Sequence, residues 1–272
     1  MKKITSYIRL VLIASTLSFA VSCDKDETEP TIATGEKGSL DIEFDAVVEG
    51  AQLDFNTTYT NANGEALKVS KFQYYVSNFK LTKTDGTVYT YPQDSSYFVI
   101  DSPNNETITL KNVPAADYNK VTFTIGVDSA RSVADISKRT GVLDPSNAKA
   151  MYWSWNSGYI FVKLEGTSTA TPMGSFARHI GLYGGYSGDT SSVRKINNIK
   201  IKELSMGTAS AKVRKDITPE VHVIVNPLKV FKATDTTVSI KNKPMIMVAK
   251  ESKNVANNYA TDMFVFGHVH ND

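Results

Sequence analysis

The 272-residue chain carries 30 basic and 28 acidic side chains, with 41% hydrophobic and 21% charged residues. These values fit a globular domain and exclude a collagen-like, coiled-coil or wholly disordered chain. The even charge gives no electrostatic case for binding nucleic acid, and the single cysteine excludes an intrachain disulfide, a zinc finger and a CxxC redox pair.

The first segment reads as an address. Lys2, Lys3 and Arg9 precede an apolar run from Leu10 to Phe19, and Ala20-Val21-Ser22 leads into Cys23. That run is too short to span a bilayer and fits the hydrophobic region of a secretory leader over residues 1–22. Small residues before the only cysteine resemble a bacterial lipobox, with Ala20 where leucine is more usual. Lipidation of Cys23 would tie the chain to a membrane by burying acyl chains. Loss of residues 1–22 removes three basic groups and no acidic one, leaving a net charge of −1. Residues 23–38 form an acidic, solvated tether beginning Asp24-Lys25-Asp26-Glu27. Acidic residues directly after a lipid cysteine resemble the surface-export signal of Bacteroidetes lipoproteins. The predicted location is therefore the outer membrane, on its periplasmic or its exposed side.

Residues 39–272 read as one β domain. Leu40, Ile42, Phe44, Ala46 and Val48 alternate with Asp41, Glu43 and Asp45, a period of two with one apolar and one acidic face. The run from Phe72 to Leu81 is aromatic and β-branched. Val121, Phe123, Ile125 and Val127 alternate with threonines. Between Ala130 and Ala150 the pattern lapses into a polar loop. Ile160, Val162 and Leu164 share a face, as do Val221, Val223 and Val225 opposite His222. Turn signals at Asn63-Gly64, Asp85-Gly86, Ser102-Pro103-Asn104 and Gly184-Gly185 separate these runs. Short strands at short spacing predict an all-β sandwich with long loops and short helical pieces near Pro227–Val230 and Met247–Asn258.

Four histidines, His179, His222, His268 and His270, are the strong nitrogen donors. His268 and His270 stand two apart in a strand-like run, so their side chains share a face about 6–7 Å apart at Cα and can converge on one cation. His179, between Arg178 and Ile180, is a candidate ligand, although a lone strand histidine is more often structural. His222 is held in reserve. Imidazole suits copper, zinc and nickel alike. Trp153 and Trp155 would share a face if that stretch were extended, as core packing or as an aromatic platform for sugars. No phosphate-binding loop, GxGxxG, HExxH or EF-hand loop is present, and no pair of carboxylates can be assigned to acid–base work.

Several motifs resemble the MbnP-like copper-binding proteins. They are Lys71 to Leu81, Gly126-Val127-Asp128-Ser129, Leu143-Asp144-Pro145, the tryptophan-bearing Met151 to Gly166, Phe176 to Gly181, and the ending from Asp262 through His268-Val269-His270. The resemblance implies a secreted or surface β-rich protein that binds copper and is not an enzyme. It also implies a ligand set of histidine with a kynurenine made by oxidising a tryptophan, here Trp153 or Trp155, and a di-haem peroxidase-like maturation partner. The candidate histidines are His179, His268 and His270. The competing expectation is a surface glycan- or protein-binding module that displays Trp153, Trp155, Tyr159 and Tyr183.

Overall fold

The computed structural model describes residues 32–272 apart from 148–149, 157, 186–187, 189 and 234–235. The expected leader, Cys23 and the start of the expected tether lie outside the described residues. The strands are, in chain order, β1 (Lys37–Val48), β2 (Ala51–Gln52), β3 (Tyr59–Thr60), β4 (Ala66–Lys83), β5 (Val88–Thr90), β6 (Tyr97–Ser102), β7 (Thr107–Pro114) and β8 (Ala116–Ile125). They continue with β9 (Tyr152–Trp153), β10 (Gly158–Ser168), β11 (Ser175–Gly181), β12 (Lys200–Ser205), β13 (Ala211–Val213), β14 (Glu220–Val225), β15 (Met245–Ile246) and β16 (Phe264–His270). The two α-helices are short, α1 (Ser129–Ser132) and α2 (Ser252–Asn258), the second running into a π turn at Tyr259–Met263. The piece expected near Pro227 is a 3-10 turn over Pro227–Phe231.

The strands form two curled sheets in a sandwich-like all-β fold. In the first, β1 is central: β7 lies antiparallel on one side, and β14 lies parallel on the other, with β16 antiparallel beyond it. The second runs β12-β8-β4-β10-β11-β15, with shorter strands added at its margins. A parallel pair needs a long crossover. Here Asp41 to Ala46 pair with Glu220 to Val225, so everything between β1 and β14 lies within the crossover that joins them.

The alternation along β1 explains the layer. Leu40, Ile42, Phe44 and Ala46 are buried against the second sheet, with Val221, Val223 and Val225 of β14 beside them. Phe44 meets Phe123 edge to face at 5.6 Å between ring centres and Tyr74 at 6.1 Å, and Phe264 joins Phe123 at 5.5 Å. Such pairs add to the area they bury. A second, smaller apolar cluster lies on the other side of the second sheet. Tyr75, Phe161 and Tyr159 form it with Val127, Leu143 and Met151 from the long connection after β8 and with Trp153 of β9. The predicted polar loop is therefore a cover for that face.

Two buried charges tie the margins down. Burial alone would raise the Glu65 carboxyl. Hydrogen bonds from the Asn61 amide, the Lys241 and Ile240 backbone N–H groups and the Ser239 hydroxyl outweigh it and hold the group at about 2. Arg178, fully buried on β11, donates from Nη1 to the carbonyls of Ala177 and Pro244. Its guanidinium lies over the Phe231 ring, 5.3 Å from the centre.

Candidate metal centre

The outer face of the first sheet carries the polar half of each alternating strand. Beta-branched and aromatic residues fill the inner face, which leaves Asp41, Glu43 and Asp45 of β1 and Glu220 and His222 of β14 pointing outward. Pairing sets Glu43 beside His222 and Glu220 beside His270.

β16 reaches this face through a bulge. Phe266 pairs with Val223, but Val269 pairs with Val221, so one more residue lies on β16 than on β14. Side chains alternate strictly along a regular strand, and one inserted residue reverses their faces beyond it. Phe264, Phe266 and Val269 therefore pack inward, while Val265, His268 and His270 point out. Gly267 sits in the bulge, where a Cβ would approach the His222 carbonyl and the Ile224 side chain at 3.2 Å.

Three imidazoles meet there. Nε2 of His268 and Nε2 of His270 are 3.0 Å apart. The His222 ring stacks on His268 with centres 4.2 Å apart and stands edge-on to His270 at 5.2 Å. One ligand nitrogen from each falls within 4.8 Å of the others. A second triad, Glu43, Glu220 and His222, meets the same criterion and shares His222.

Carboxylates hold His222 on its far side. Nδ1 is 2.9 Å from Asp45 Oδ2 and 3.1 Å from Glu43 Oε2, while Nε2 is 3.5 Å from Glu220 Oε2. Burial, then the charges of Asp45, Glu220 and Glu106, push the Glu43 carboxyl up, against the pull of His222. Nε2 is buried and makes no hydrogen bond. A buried nitrogen lone pair left without a donor costs free energy. Beside two other imidazoles such a lone pair is free to serve as a metal ligand. Two nitrogens about 2.0 Å from a common ion lie about 3 Å apart when they are neighbours in its shell. The residues thus fit a bound copper, zinc or nickel ion.

The other sequence-predicted residues lie elsewhere. His179 is on β11 of the second sheet, and its Nε2 meets Glu165 Oε1 at 2.6 Å. Burial, joined by the nearby Lys163, outweighs Glu165 and lowers its proton affinity. The structure does not bring it to His268 and His270. Trp153 ends β9 and is buried, while Trp155 lies in the following turn and is 66% exposed. The extended run that would align them stops at Trp153, whose carbonyl accepts from Asn156 N–H. The rings nevertheless touch, tilted, at 5.6 Å. Gly181 makes room for the Trp153 ring, since a Cβ there would be 2.7 Å from it. Trp153 and His179 thus belong to the second sheet and the histidine triad to the first. One ion cannot join them across the core. The platform expectation also changes: Tyr159 and Tyr183 are buried, so among those four rings only Trp155 is displayed.

Comparison with known protein families matches residues 37–248 to MbnP. The chain belongs to the MbnP family. Among solved structures, MbnP from Methylosinus trichosporium superposes with a TM-score of 0.51 at 15% identity, covering 87% of this chain and 99% of that one. At that identity the likeness speaks for the fold. No curated protein matches this chain. The matched span includes His179, His222 and both tryptophans, whereas His268 and His270 lie beyond it.

Proposed function

We propose that this MbnP-family chain binds copper at the cluster of His222, His268 and His270, as a non-enzymatic, lipid-anchored protein of the cell envelope that captures copper or hands it on. The observation that carries the reading is the convergence of three imidazoles around a buried His222 Nε2 that makes no hydrogen bond. Family membership supports copper over the other ions that imidazole accepts. Attachment through Cys23 to the outer membrane, periplasmic or surface-exposed, rests on the leader and tether. Imidazoles coordinate only when deprotonated, so binding weakens on acidification through the ordinary histidine range. Maturation of Trp153 by a di-haem peroxidase-like partner would concern a separate site on the second sheet.

The test is copper stoichiometry on the purified chain. Wild type should retain about one copper after desalting, a His268→Ala/His270→Ala variant none, and His179→Ala the wild-type amount. Copper retained by the double variant, and lost by His179→Ala, would move the site to the second sheet. Intact mass on protein from its native host decides whether Trp153 or Trp155 is modified.

A further inference from the structure

We propose that the outer face of the first sheet is a docking face for a polypeptide partner that presents lysine or arginine around an apolar side chain, and that this partner delivers copper to the imidazole cluster or takes it away. The inference rests on the copper reading above for its purpose and adds the chemistry of the partner.

The first observation is an apolar row beside the imidazoles. Ile224 lies two residues beyond His222 on β14, so the two side chains share the outward face. It pairs with Val265 of β16, which is 48% exposed. Val47, on the outward side of β1, joins them along a groove of about 500 Å3. Protein interfaces are built this way, with an apolar centre inside a polar rim. The second observation is the sign of the rim. The outward side chains of β1 and β14 around this row are Asp41, Glu43, Asp45 and Glu220, and Glu49 and Asp262 stand along the groove. The basic groups nearby are Lys37 at the start of β1, Lys111 on β7 and Lys229 in the groove. The acidic crowding is felt at Glu43, whose carboxyl is pushed up by burial and then by Asp45, Glu220 and Glu106. A cationic partner relieves that repulsion. Sign also decides the occupant. An acidic face repels a second copy of itself, and the stretch from Asp24 to Glu29 carries the same sign. A basic partner is steered to the face, and its apolar side chain then covers Ile224 and Val265. The third observation is position. His268 and His270 are exposed on the same strand as Val265, so a partner seated on the apolar row stands beside the imidazoles.

The experiment immobilises the peptide Lys-Lys-Leu-Trp-Leu-Lys-Lys and follows association and dissociation of the copper-free mature chain, with copper content measured on the same preparations after loading. Wild type should bind saturably, and affinity should fall at least about tenfold between about 0.01 and 0.1 M ionic strength, as the screening length shrinks from about 30 to about 10 Å. Peptides with glutamate in place of lysine, or glycine in place of the apolar centre, should not bind. Asp41→Asn/Glu49→Gln/Asp262→Asn should slow association about tenfold, since rim charge acts on the encounter. Val47→Ser/Val265→Ser should instead speed dissociation at least about fivefold. Circular dichroism checks that both variants are folded, and the two control peptides test the face on wild type alone. Equal binding of the glutamate peptide, or rates unchanged in both variants, overturns the inference. Copper bound by wild type with no binding of the lysine peptide overturns it too and leaves the copper reading standing. Variant-sensitive peptide binding by a chain that takes up no copper supports the docking face and removes the copper reading.

Discussion

His222 shows how a single residue changes meaning with its neighbours. In the sequence it is a polar residue facing away from three valines, open to being surface or site. The structure surrounds it with two histidines from another strand and three carboxylates, two of them more than 170 residues earlier in the chain, Asp45 at a separation of 177. No local spacing encodes such a meeting, so the acidic face of β1 was legible as a pattern and not as the wall of a site. Glu65 carries a prediction of its own. Its carboxyl is held at about 2, below its unfolded value near 4.5. Its stabilising effect is therefore complete above about pH 4.5 and fades as pH falls through the folded value. Glu65→Gln, which turns an amide toward buried donors, should lose on the order of 2 kcal/mol at pH 7 by urea unfolding. The gap to wild type should narrow steadily between about pH 4.5 and 2.

At the scale of the element, the bulge of β16 matters most. The alternating strands β1, β8, β10 and β14 were legible because apolar and polar residues keep period two along them. In β16 a strict period from Phe264 would place His268 and His270 on the same side as Phe264 and Phe266, inside the sandwich. The extra residue at the bulge resolves this conflict, and its one sequence mark is Gly267. Inserting one further residue after Gly267 should shift the alternation by one and turn both imidazoles toward the core. Copper binding should then be lost and the melting temperature lowered. Gly267→Ala meets only contacts at 3.2 Å and should keep both. An insertion variant with unchanged copper content would show that the register at the bulge does not set the direction of the pair. The tryptophan motif failed to extend for a different reason. A turn follows Trp153 immediately, and a turn at Ser154–Asn156 carries no glycine or proline to announce it.

For the whole molecule, the fold class was legible from short alternating runs and turn residues. The topology was not, since the parallel pairing of β1 with β14 leaves no trace in either strand. A ligand that binds only the folded chain stabilises it by mass action, about 2.7 kcal/mol at a hundredfold excess over its dissociation constant. Copper should therefore raise the melting temperature of wild type and leave His268→Ala/His270→Ala unmoved, as differential scanning calorimetry would show. The pairing of β1 with β14 and β16 has a consequence for timing. The site joins Glu43 and Asp45 to His268 and His270, so it comes into being only when the last strand docks beside strands formed from the first. A chain still being synthesised holds no assembled site. On the copper reading proposed above, loading follows folding, and any defect that keeps β16 from docking would leave the protein empty.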